Sequence, residues 1–197
     1  MEFKYLDLPA LPDTIVESIL SLVTASTGNS FDELQLNSVD DNLLEVLKNV
    51  PAPKDNSLGI LMSERNAYFK DYAKFEFLEV NQVIKDWINS NIFPIPVHIG
   101  IQCMHSGKYI TPHIDEARKY AYNYIIETGD AHLCLWEAKD EYTDCIAYPQ
   151  TIFPYERIKL ADKIVIDKNK WHLLDTNKIH SVENISGRRI SLSLSYV

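Results

Sequence analysis

Apolar residues in the first 93 positions recur three and four apart, whereas from Pro94 onward short runs of Val, Ile, Tyr, Trp and Thr alternate with polar turns. The first rhythm is that of helices packed by one face, the second that of antiparallel strands. In the front part the spacing predicts a helix that opens at Asp13 and carries Ile15, Val16, Ile19, Leu20 and Val23, followed by a loop over 24–38. A short helix should open at Asp40-Asp41, present Leu43, Leu44 and Leu47, and stop before Pro51. A third, from about Glu79 to Ser90, puts Val80, Val83, Ile84, Trp87 and Ile88 on one side. Glu2 to Leu8 and Leu58 to Met62 read as short strands, with Pro51 to Ser57 as a surface connection between elements.

Behind Pro94 the predicted strands are 96–104, 109–115, 121–127, 131–137, 144–153, 157–160, 163–167, 171–175, 179–184 and 188–196. Turns at Ser106-Gly107, Thr128-Gly129-Asp130 and Ser186-Gly187 separate several of them. The expected fold is α+β but mainly β. A barrel-like or jelly-roll unit over 94–197 is buttressed on one sheet by the mostly helical region 1–93, all within a single domain of 197 residues.

Composition narrows the classes of function. A net charge of −9 and a pI near 5.1 argue against a basic nucleic-acid-binding surface. Cys103, Cys134 and Cys145 are odd in number and lack a C-x-x-C pair, so a secreted disulfide framework is not expected. They read as small buried hydrophobes. The N-terminus shows no basic segment followed by an apolar one, and no apolar run approaches the ~20 residues of a membrane span. A soluble, cytoplasmic protein is the expectation.

The candidate chemistry lies in Gly107-Lys108-Tyr109-Ile110-Thr111-Pro112-His113-Ile114-Asp115. Side chains at i and i+2 of a strand point the same way, so His113 and Asp115 share a face. They make two thirds of a 2-His-1-carboxylate ferrous-iron site. His-x-Asp spacing is weak by itself, but His180, in a late strand that can fold back beside the first, offers the third ligand. Nine residues further on, Arg189-x-Ser191 begins the last strand. That strand puts Arg189, Ser191, Ser193 and Ser195 on one face and Ile190, Leu192, Leu194 and Tyr196 on the other.

The series Gly107…Pro112-His113-x-Asp115, Trp171…His180-x-Val182-x-Asn184 and Arg189-x-Ser191 resembles the Fe(II)/2-oxoglutarate-dependent oxygenase superfamily over about residues 94–197. The resemblance implies a double-stranded β-helix, iron on His113, Asp115 and His180, and 2-oxoglutarate held by Arg189 with support from Ser191. It implies an enzyme that uses dioxygen to hydroxylate a small-molecule or peptidyl substrate while 2-oxoglutarate is decarboxylated to succinate. The Trp171–Asn184 and Arg189–Leu192 stretches look most like the prolyl or aspartyl/asparaginyl hydroxylase-like members. Formal charges fit: iron at +2, one aspartate at −1 and the dianion leave −1, which Arg189 neutralises. A guanidinium fork suits a carboxylate better than an ammonium does.

Tyr109 and Tyr124 are further candidates for hydrogen bonds to 2-oxoglutarate, since each carries a hydroxyl on or near a ligand-bearing strand. His132, on a strand face shared with Cys134 and Trp136, is a candidate contact to cosubstrate or substrate. His98, His105 and His172 read as packed or surface residues, and Trp136 and Trp171 as barrel packing. Arg188 competes with Arg189 as anchor, because a one-residue slip exchanges the faces. Two other readings stand beside the oxygenase: a cupin-like binding module with a structural or degenerate metal site, and a cupin enzyme using iron without 2-oxoglutarate. Neither gives Arg189 a cosubstrate to hold.

Overall fold

A computed structural model describes residues 3–27, 76–104, 106–107, 109–115, 118–139, 150–153 and 155–196. The predicted helix at 40–47, strand at 58–62 and connection at 51–57 lie outside these residues, as do His105, Cys145 and the first part of the strand predicted at 144–153.

The described chain is mostly β, with two α-helices and two antiparallel sheets. Its elements are β1 (Phe3–Tyr5), α1 (Asp13–Thr27), β2 (Glu76–Glu79), α2 (Gln82–Asn91), β3 (His98–Met104), β4 (Ile110–Asp115) and β5 (Tyr120–Thr128). They continue with β6 (His132–Ala138), β7 (Gln150–Ile152), β8 (Ile158–Val165), β9 (Trp171–Asp175), β10 (His180–Glu183) and β11 (Arg189–Tyr196). One sheet has the order β1-β9-β5-β11-β3-β2 and the other β7-β4-β10-β6-β8. From β3 to β6 each successive strand changes sheet, and from β9 to β11 it does so again. Ile125 and Leu174 of the first sheet pack with Leu133 and Leu135 of the second, so the sheets face one another.

The helices lie on the outer face of the six-stranded sheet. Ile15, Ile19 and Val23 of α1 and Ile84 and Ile88 of α2 form one cluster with Ile190, Leu192 and Leu194 of β11 and Tyr124 and Trp171. Each fully buried aliphatic side chain there contributes roughly 1.5–3 kcal/mol. With the apolar row Ile190, Leu192 and Leu194 of β11 turned to the helices, alternation forces Arg189, Ser191 and Ser193 inward, between the sheets.

Several boundaries differ from expectation for local reasons. Helix α1 continues through Thr27 where a loop was predicted from Thr24. Ser21 and Thr24 turn their hydroxyls back to the carbonyls of Glu17 and Leu20, so their polarity does not break the helix. β2 was not predicted at all, and α2 begins only after it, capped by Asn81, whose side chain accepts from Ile84 N–H at 3.1 Å. The strands predicted at 157–160 and 163–167 are one strand, β8. Leu135 faces Asp162 and Trp136 faces Leu160, so the polar interruption is a bulge at Ala161. Among the described residues no helix is long and apolar enough to cross a membrane.

Candidate metal centre

Strands β4 and β10 are antiparallel neighbours, and His113 lies directly across from His180. One potential ligand atom from each of His113, Asp115 and His180 falls within 4.8 Å of the others, and all three residues are buried. His113 Nε2 is 3.3 Å from Asp115 Oδ1. Metal bonds of ~2.1 Å at right angles would put two donors roughly 3 Å apart, so this pair is spaced as neighbouring ligands of one ion. The two imidazole centroids are 4.2 Å apart.

Two of the three candidate ligands, His180 and Asp115, are held from behind. His180 Nδ1 sits 2.8 Å from the Lys178 carbonyl oxygen. A carbonyl only accepts, so Nδ1 carries the proton and Nε2 keeps its lone pair for a metal. Burial pushes His180 down to about 3 and keeps it neutral at neutral pH. Burial by itself would raise the Asp115 carboxyl, but the hydrogen bond with His113 and the Arg118 guanidinium outweigh it and hold it well below the usual range.

Arg118 was not singled out in the sequence. Its Nε donates to Asp115 Oδ2 at 2.6 Å, and its Nη1 donates to Ser193 and Ser195 at 3.2 and 3.3 Å. Its carbonyl accepts from Thr176 Oγ1 at 2.7 Å, while Thr176 O accepts from Asp115 N–H at 2.9 Å. The only sequence signal was an arginine three residues after a candidate ligand; the serines that complete the network are 75 and 77 residues away.

A cavity of about 60 Å³ opens beside the triad, walled by Gln102, Asn123, His172 and Arg189 from one sheet and by His113 and His180 from the other. Arg189 is buried, and its guanidinium meets only Ser191 Oγ at 3.4 Å and Met104 Sδ at 3.9 Å. Among the described residues it has no carboxylate partner. Burial pulls it down to about 10, still charged at neutral pH. An isolated buried cation is costly, so this wall favours an anion. Arg188, by contrast, points outward and makes a bidentate pair with Glu127, both distances 2.6 Å.

Other candidates are placed elsewhere. Tyr109 should share a face with His113 and Asp115, but β4 has a bulge: His180 pairs with His113 and Val182 with Ile110, so three steps on β4 match two on β10. The faces exchange, Ile110 turns inward, and Tyr109 lines an outer pocket with Tyr155 and Glu183. Tyr124 lies under the helices, 5.1 Å from the Trp171 ring, on the side of β5 opposite Asn123 and Ile125. It does not reach the cavity. His132 sits on the outer face of β6, since Leu133 and Leu135 take the inner one. Trp136 on that same outer face donates to Ser181 Oγ at 2.8 Å, and Trp171 donates to the Pro9 carbonyl at 2.8 Å. Cys103 and Cys134 are free and buried, and burial pushes the Cys134 thiol up to about 11.

No protein-family model and no curated protein matches the chain. Solved structures with some likeness include ycfD of E. coli, at 9% identity and a TM-score of 0.34 over 50% of this chain and 25% of that one. Another is the DMSP lyase DddQ from Ruegeria pomeroyi DSS-3, at 9% identity and a TM-score of 0.23 over 94% and 93% of the two chains. Function therefore has to be argued from this chain's own residues.

Proposed function

We propose that this chain is an Fe(II)/2-oxoglutarate-dependent oxygenase built on a double-stranded β-helix. The strand order supports the fold: β3, β11, β5 and β9 face β4, β10, β6 and β8, with the chain crossing between the sheets. The observation that carries the function is Arg189, a buried guanidinium without a carboxylate partner among the described residues, on the wall of the cavity that also holds His113 and His180. A metal site alone gives that charge no purpose.

His113, Asp115 and His180 would hold the ion, and three protein ligands leave coordination positions open for a bidentate 2-oxo acid and for dioxygen. Iron bound there supplies oxidising chemistry, with 2-oxoglutarate going to succinate and carbon dioxide as a substrate C–H bond is hydroxylated. Arg189 and Ser191 fix the far carboxylate of the cosubstrate, and the small side chains of Ser191 and Ser193 leave it volume. The apolar walls Ile110, Leu133 and Val182 keep water from the site.

Arg118 revises the charge balance reached from sequence. Its guanidinium is paired with Asp115, so iron with Asp115 and Arg118 carries +2, which the dianion cancels, and Arg189 leaves the filled site at +1. Substrate is a small molecule or a peptide in this reading. Anaerobic addition of Fe(II) and 2-oxoglutarate should produce the visible charge-transfer band of a chelated 2-oxo acid, and succinate should follow on admitting dioxygen. Stoichiometric iron without that band would favour the cupin-like binding module instead.

A further inference from the structure

We infer that His172 is a second hydrogen-bond donor to the anion bound by Arg189, joining the guanidinium in gripping the far carboxylate of the 2-oxo acid. The inference rests on the oxygenase reading and extends it to a residue that the sequence marks only as packing.

His172 is the second residue of β9, across from Asn123 of β5, on the inner face of its sheet. It is 1% exposed, and its Nδ1 is fully buried with no hydrogen-bond partner among the described residues. The Phe3 ring lies 5.3 Å away. A buried polar atom left unpaired is destabilising, and native interiors rarely keep one without a ligand, water or ion to satisfy it. Arg189 on the same cavity wall also has no carboxylate partner among the described residues. With the ring's single N–H on Nδ1, one carboxylate answers both, since its two oxygens offer about four acceptor sites and a guanidinium fork need not fill them all.

Protonation state agrees with this role. Burial and the Arg189 charge push His172 down to about 3, so at neutral pH it is an uncharged imidazole with a single N–H. A second cation beside Arg189 would repel it. A neutral donor adds a directed bond without that repulsion, and asks for an acceptor placed between the two side chains.

Calorimetric titration of 2-oxoglutarate into the Zn(II)-loaded full chain tests this, with wild type, His172→Phe and His172→Gln compared. His172→Phe should weaken 2-oxoglutarate binding about tenfold or more, the loss expected when a donor to a charged group is removed. Zn(II) affinity should be unchanged, His172→Gln should recover part of the loss, and the ligand-free melting temperature of His172→Phe should hold or rise as an orphan polar atom disappears. Equal 2-oxoglutarate affinity in wild type and His172→Phe overturns the inference and leaves the Arg189 reading standing, with water as the partner of Nδ1. A parallel fall in Zn(II) affinity or melting temperature overturns it too, marking a structural role. No 2-oxoglutarate binding by wild type overturns both readings.

Discussion

Arg118 and Asp115 share a 2.6 Å ion pair through Oδ2, on the far side of the carboxylate from His113 Nε2, which lies 3.3 Å from Oδ1. One carboxylate is thus oriented by a cation while its other oxygen faces the candidate metal position. Arg118 in turn is tied to Ser193 and Ser195 of the neighbouring sheet. Arg118→Ala should lower Zn(II) or Co(II) affinity by about 10–100-fold, the usual cost of losing a group that orients a ligand. Arg118→Lys should restore only part of it, since an ammonium cannot span carboxylate and serines at once. Competition with a fluorescent chelator measures this.

His113→Ala should abolish stoichiometric metal binding, because two remaining ligands cannot complete the facial set. The buried strand pairing with His180 is made by backbone atoms, so the variant should keep its β-rich circular dichroism spectrum.

Arg189→Met should separate metal from cosubstrate. The metal affinity should stay within about twofold, while 2-oxoglutarate binding falls at least 100-fold with the loss of a buried charged partner. Because the guanidinium has no carboxylate partner among the described residues, the ligand-free variant should be no less stable than wild type by urea midpoint.

Stability should fall on acidification below about pH 6.5. His172 takes up a proton at that pH when unfolded but only near 3 when folded, so the unfolded state binds more protons through the window between them. At pH 5 this amounts to about 2 kcal/mol, from ~1.36 kcal/mol per pH unit. His172→Phe should lose that part of the slope in acid-unfolding curves.

Gly129→Ala tests the turn between β5 and β6. Gly129 has φ +56°, and a Cβ there would stand 2.9 Å from the Gly187 carbonyl oxygen, a backbone atom that also belongs to the approach of β11. Left-handed strain and the clash should together cost about 1–3 kcal/mol, read as a lower urea midpoint.

Much of this was legible because it depends on short-range rules. Alternation in Arg189–Tyr196 put Ile190, Leu192 and Leu194 on one face and Arg189 and Ser191 on the other, and the structure turns the first set to the helices and the second between the sheets. The i, i+2 spacing of His113 and Asp115 placed two candidate ligands together, since no bulge falls between them. Tyr109 is turned to the outer pocket because Thr111-Pro112 form a bulge, and periodicity cannot report one extra residue. Tyr124 was misassigned because a hydroxyl on a strand does not say which face of the sheet the helices will cover.

By itself, then, the sequence determined the β-rich class, the two opposite faces of the last strand, and the residue types of a candidate metal site. Tertiary structure alone decided that β10 lies against β4 so that His180 meets His113, that Arg118 reaches across sheets to Ser193, and that His172 and Arg189 share one cavity wall. The reason is physical: strand partners and buried charge are set by contacts many tens of residues apart in the chain, whereas alternation and spacing are set by backbone geometry within a few.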